Sequence, residues 1–169
     1  MSLLELAVVI VIIAILASML LPAYSGYLSR MEAAKCMANL RNLFVAATGY
    51  LQANNSWPQV STKLVTTEPL TYAKSWVKAL APFGATHSVW ICPTAQHKIG
   101  GSIESLEDDE NYRIDYVGTP FDDKPSSPHR TPRYPWFLEK AGLHGRGNLM
   151  ILEDGTTTSL SDLIDQNPK

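Results

Sequence analysis

Charge is almost missing from the start of this chain. All 14 Lys and Arg residues lie beyond residue 29, as do all but one of the 16 Asp and Glu residues, the exception being Glu5. The overall figures, 169 residues at 46% hydrophobic and 18% charged with a formal net charge of -2, average over an apolar end and a polar body. The sequence also lacks clustered Lys and Arg, which excludes a nucleic-acid binder that neutralises phosphates with a basic face. It has only two cysteines, Cys36 and Cys92. They are too few for a disulfide scaffold and too poor in partners for a zinc site, so they read as one bridge or two buried thiols. No nucleophile elbow, phosphate loop or HExxH run occurs, and no enzymatic activity is expected. Core-forming residues, by contrast, are plentiful. All four Trp lie in the polar body with enough Leu, Val and Ile to bury a core, which excludes a disordered chain.

The apolar end has its own logic. From Leu6 to Tyr24 the residues LAVVIVIIAILASMLLPAY carry no charge, and as a helix they extend roughly 28 Å, about one bilayer core. Nothing basic precedes the run and no cleavage site follows it, so a membrane anchor is expected rather than a cleaved signal. Glu5 does not suit a simple anchor, because a carboxylate near the bilayer centre costs about 2.5 to 3.5 kcal/mol. It needs a positive partner in hydrogen-bonding reach, and the nearest is the amino group of Met1, in the same chain or in an adjacent copy. Pro22 removes a helical N–H and Gly26 follows one turn later, which weakens the helix there.

Met1-Ser2-Leu3-Leu4-Glu5, the apolar run, and Pro22, Tyr24, Tyr27 and Arg30 together resemble the mature N-terminus of type IV pilins and type II secretion pseudopilins. Ala14 stands where many pilins carry Gly. The resemblance implies that Met1 is the residue left by prepilin peptidase and is N-methylated, the alternative being a Met retained from translation. It further implies that Met1, Glu5, Pro22, Tyr24 and Tyr27 serve assembly. The expected function is a structural subunit that polymerises through its N-terminal helix into an extracellular pilus-like filament, the alternative being the major pseudopilin of a type II secretion system. The expected partners are further copies of the chain, the inner membrane before assembly, and the peptidase and assembly machinery.

Beyond Tyr24 the helix is expected to continue. Ala33, Cys36, Leu40, Leu43, Phe44, Ala47, Tyr50 and Leu51 recur at helical spacing, while Glu32, Lys35, Arg41 and Asn42 occupy other faces. The polar cluster Gln52–Asn55 before Trp57-Pro58 ends it. In the body, residues 88–92, 112–116 and 148–152 read as strands and 75–83 as a short helix, while 117–136, with five prolines, reads as a surface loop. Asp154-Gly155 between two β-prone runs signals a hairpin whose central residues both take positive φ. The expected class is α+β, and the resemblance implies a pilin-like lollipop with three parts: 1–29 as the apolar half-helix, 30–54 as the amphipathic half and 55–169 as the head.

Cys36, Asn39 and Leu40 in the helix, Trp76, Ile91-Cys92-Pro93, and His144 nine residues before Asp154-Gly155 are similar to pilin-like proteins of planctomycete and verrucomicrobial bacteria. A body in an oxidising compartment favours a Cys36–Cys92 disulfide, worth ~4 kcal/mol for a loop of about 56 residues. His144, Asp154 and Gly155 are expected to be structural rather than catalytic. Glu107–Glu110 and Asp122-Asp123 lack the alternating spacing of a calcium loop, so a solvated acidic patch is favoured over calcium binding, and no cofactor is expected.

Overall fold

A computed structural model of the chain describes residues 3–100, 111–145 and 147–165, without the side chains of 20–23 and 25. It is an α+β protein. Helix α1 runs from Leu3 to Asn54. It is followed by α2 (Leu64–Thr67), α3 (Pro69–Leu80), two 3₁₀ turns (Ala81–Phe83 and His87–Trp90) and α4 (Pro93–Ile99). A four-stranded antiparallel meander comes next: β1 (Tyr116–Gly118), β2 (Pro135–Glu139), β3 (Leu149–Leu152) and β4 (Thr157–Ser159), adjacent in that order. The short α5 (Leu160–Asp165) closes the described chain.

The chain divides inside α1 into two compact units, Met1–Glu32 and Ala33–Lys169. In the first, large apolar side chains are exposed all round the helix. Leu3, Leu4, Leu6, Val8 to Ile13, Ile15, Leu16 and Met19 are all open. Tyr24 and Tyr27 are exposed as well, and the helical backbone continues unbroken through Pro22 and Gly26. Among the described residues, however, no helix is long and apolar enough to cross a membrane. The expected span from Leu6 to Tyr24 includes residues 20–23, whose side chains lie outside the described set, and Met1 lies outside it too.

The second unit contains the core. Its share of α1 buries Cys36, Leu40, Leu43, Ala47 and Leu51 of the expected stripe together with Ala46, while Ala33, Phe44 and Tyr50 are half-buried. Lys35, Arg41 and Asn42 stay exposed. The centre is aromatic: Trp57, Trp76, Trp90, Trp136 and Phe137 are fully buried. Trp57, just past the end of α1, lies with its ring 4.9 Å from Trp136 and 5.1 Å from Phe121, both nearly edge-on. Its indole N–H donates to the Thr119 carbonyl at 2.9 Å.

Close packing also dictates one glycine. A Cβ on Gly118, in β1, would collide with the buried ring of Trp76. Gly118→Ala is therefore expected to cost ~1–3 kcal/mol through overpacking. Chemical denaturation checks this, and an unchanged midpoint would show that the ring can shift.

Several local expectations are corrected. Residues 88–92 do not form a strand: His87–Trp90 is a 3₁₀ turn, and only Ile91 and Cys92 are extended. Trp90 turns into the aromatic core instead, and its carbonyl accepts from the Asp115 N–H at 2.8 Å. The strand expected at 112–116 starts only at Tyr116. The helix expected from Ser75 begins earlier, at Pro69, where proline's missing N–H is harmless in the first turn. The stretch 117–136 is not all surface loop, because Ser127 and Pro128 are buried and Pro135 opens β2. The Trp136 indole N–H donates to the Pro128 carbonyl at 3.0 Å, tying that loop to the core.

The β3–β4 hairpin is present with a different turn. Leu152 and Thr156 close a three-residue loop, and Gly155 alone takes positive φ, at 79°. This is a turn followed by a left-handed bulge residue, for which Asp in the middle and Gly at the end are both suited.

Candidate functional site

The clearest gathering of reactive groups lies where α1, the 91–92 segment, the end of β2 and the β2–β3 loop meet. Cys36 projects from the buried face of α1, and Cys92 immediately precedes α4. They form a disulfide with Cα atoms 5.4 Å apart. The expected bridge is thus present, with both cysteines fully buried.

Polar contacts hold these segments in place. The Asn39 side-chain amide donates to the Ile91 carbonyl at 2.9 Å, one turn along α1 from Cys36. The Cys92 N–H donates to Asp115 Oδ2 at 2.8 Å, while Asp115 Oδ1 lies 3.2 Å from Arg113 Nε. Asp115 also uses its backbone, donating to Trp90 and accepting from the Lys140 N–H. Burial raises the Asp115 carboxyl above the ordinary range, with the Cys92 N–H and Arg113 opposing that shift. The Tyr116 hydroxyl, 3.4 Å from the Cys36 carbonyl, has its pKa raised by desolvation.

Two further side chains reach the sulfurs. Glu139, at the end of β2, is fully buried, and its Oε1 lies 3.1 Å from Cys92 Sγ. His144, in the β2–β3 loop, places Nε2 3.2 Å from Glu139 Oε1 and 3.6 Å from Cys92 Sγ. The Asn148 side chain donates to the Glu139 carbonyl at 2.7 Å, fixing the base of that loop. Burial pushes the Glu139 carboxyl up to about 7, with the Leu149 N–H pulling the other way. The ligand-type atoms of Cys36, Cys92, Glu139 and His144 all lie within 4.8 Å of one another. A cavity of about 120 Å³, lined by Lys98, Ile99, Leu143 and others, reaches Glu139.

Along the sequence the two cysteines and His144 carry separate roles and Glu139 carries none. The signal for Glu139 is slight: a carboxylate ending the apolar run Trp136-Phe137-Leu138, with a histidine five residues later. The reading that the cysteines lack partners for a metal site holds along the sequence but not in space.

The other expected site residues lie elsewhere. Asp154 Oδ1 accepts from the Thr156 N–H at 2.8 Å, a contact that lowers its carboxyl pKa, and Gly155 packs toward Phe44. Asp122 receives the Lys124 N–H at 3.0 Å and stands 3.5 Å from Arg130. The acidic run Glu107–Glu110 lies outside the described residues.

Removing both sulfurs by Cys36→Ser with Cys92→Ser is expected to cost ~4 kcal/mol of stability, from the freed loop in the unfolded chain. Denaturation of the non-reduced protein against the double variant measures it, and equal midpoints would show that the bridge adds no stability.

Comparison of the chain with family models, curated proteins and solved structures finds no match in any of the three.

Proposed function

We propose that this chain is a structural subunit, with no catalytic role, that polymerises into a helical filament through the apolar half of α1. One observation carries the reading. A single 52-residue helix is apolar and exposed on every side over its first part, then becomes amphipathic and buried on one stripe within its own domain. Exposed apolar area on this scale is costly in water and calls for a covering surface. Equivalent helices of neighbouring copies, bundled with the bodies outside, supply one. The pilin-like N-terminal residues support the same reading, with Glu5 of one subunit meeting the Met1 amine of another as the helices leave the inner membrane.

Negative-stain imaging of the full chain, purified in detergent and then freed of it, tests this proposal. Ordered fibres a few nanometres across are the expected result. Monodisperse particles, or only amorphous aggregate under every condition, would overturn it. Imaging intact cells then separates an external pilus from a fibre confined to the periplasm.

A further inference from the structure

We infer that in its dithiol form the Cys36, Cys92, Glu139 and His144 cluster is a binding site for a single divalent transition-metal ion of the zinc class, which the disulfide closes off. A disulfide alone requires none of the surrounding chemistry. Here a buried carboxylate and a nearly buried imidazole are brought against one of its sulfurs from two other segments. Disulfide sulfurs have no proton to share, so Cys92 Sγ gives Glu139 Oε1 no hydrogen bond across their 3.1 Å separation. Two sulfurs, a carboxylate oxygen and an imidazole nitrogen thus lie within 4.8 Å of one another, the donor set of a bound cation.

The spacing also fits. Metal bonds of about 2.0–2.3 Å to nitrogen, oxygen and sulfur imply tetrahedral edges of roughly 3.3–3.8 Å. The Cys92–His144 contact, 3.6 Å, lies within that range, and the Glu139–His144 and Cys92–Glu139 contacts, 3.2 and 3.1 Å, lie about 0.1–0.2 Å short of it, so the carboxylate must draw back slightly to admit the ion. Cutting the disulfide lets the two sulfurs separate to an edge of that length. Two thiolates, an imidazole and one carboxylate favour a borderline-soft ion over calcium or magnesium, which take oxygen ligands. With four protein ligands the site is closed and structural rather than catalytic.

The chemistry balances with a named reductant. A phosphine breaks the S–S bond, giving two thiols, and takes up the oxygen of water as its oxide. The thiols then release two protons as they bind the ion, and His144 binds through the unprotonated Nε2. In the reverse direction a small-molecule disulfide takes the two electrons of the dithiolate and leaves as two thiols, the Cys36–Cys92 bond re-forms, and the metal, short of two ligands, is expelled. The site therefore belongs to the chain before its disulfide forms, or after it is reduced.

The test uses the full chain in detergent, reduced with a phosphine and titrated with Co²⁺ and then Zn²⁺. The expected result is one Co²⁺ per chain, with thiolate charge-transfer absorption and the intense visible bands of tetrahedral cobalt, both erased by one equivalent of Zn²⁺. The oxidised protein should show neither. His144→Ala and Glu139→Gln should each weaken Zn²⁺ binding by at least about tenfold. Where reduction or a substitution loosens the fold, the second readout is thermal unfolding: Zn²⁺ should raise the Tm of the reduced wild type and leave that of the oxidised protein unchanged. The proposal fails if the reduced chain gives no tetrahedral cobalt spectrum and no Zn²⁺-dependent rise in Tm. It also fails if the two variants bind Zn²⁺ as tightly as wild type, since the cysteines would then be acting without the other two residues.

Discussion

Glu5→Val is expected to abolish filaments, or reduce them to short fragments, while leaving the folded body intact. In the proposed polymer the Glu5 carboxylate of one subunit neutralises the Met1 amine of another inside an apolar helix bundle. Removing one member leaves the other charge buried without a partner, at a cost of about 3–5 kcal/mol. A filament repeats that penalty at every subunit, so even the lower value shifts the assembly equilibrium by more than a hundredfold per contact. The body should not notice, because among the described residues every buried apolar side chain lies at Cys36 or later. Negative-stain imaging together with thermal unfolding separates the two effects. Fibres of normal length from Glu5→Val would sink the charge-pairing argument. Glu5→Gln, which keeps the polar group without its charge, should behave like the valine variant if charge is what matters.

Trp57→Ala is expected to be the most damaging single substitution in the body, at about 5 kcal/mol, the upper end for removing a buried large aromatic. The ring fills the space between the end of α1, α3 and the sheet, within 6.3 Å of the ring centres of Trp76, Phe121, Trp136 and Phe137. Truncation leaves a cavity that those large rigid rings cannot close. It also deprives the buried Thr119 carbonyl of the indole donor. With an unfolding entropy near 2.1 cal/mol/K per residue, a body of this size should lose roughly 17 °C in Tm. Val45→Ala, at a position 66% exposed on α1, is the matched control and should change stability by no more than about 0.5 kcal/mol. Equal losses from the two would mean that the aromatic cluster is not the organising core. Circular dichroism in detergent suits the comparison, since it does not depend on the tryptophan removed.

Much of this architecture was legible because its causes are local. The spacing from Cys36 to Leu51 marks one face of a helix whatever lies opposite it, and the polar cluster before Trp57-Pro58 stops that helix from within. Leu149–Leu152 and the Asp-Gly turn likewise carry their own signals, although the type of turn depended on how the two strands meet. The segment 88–92 misled because Val-Trp-Ile is a short run of β-prone residues. What overrides that propensity is distant: Asn39 and Asp115 take the backbone groups of Trp90, Ile91 and Cys92 that a sheet neighbour would have used. Strand β2 was hidden among prolines because Pro135 stands at its first position, where a missing N–H does no harm.

The division between an apolar end with one charged side chain and a self-sufficient body was determined by the sequence alone, since it depends on where charges and tryptophans stand in the chain. So was the solitary Glu5, and with it the case for assembly. The meeting of Cys36, Cys92, Glu139 and His144 was decided only by the tertiary structure. Those residues come from four segments spread over more than a hundred positions, and no local period or motif links them. Their proximity results from packing α1 against the meander and from the Asp115 and Asn148 contacts that set the loops. The sequence therefore shows which groups exist, while long-range packing decides which of them share a site.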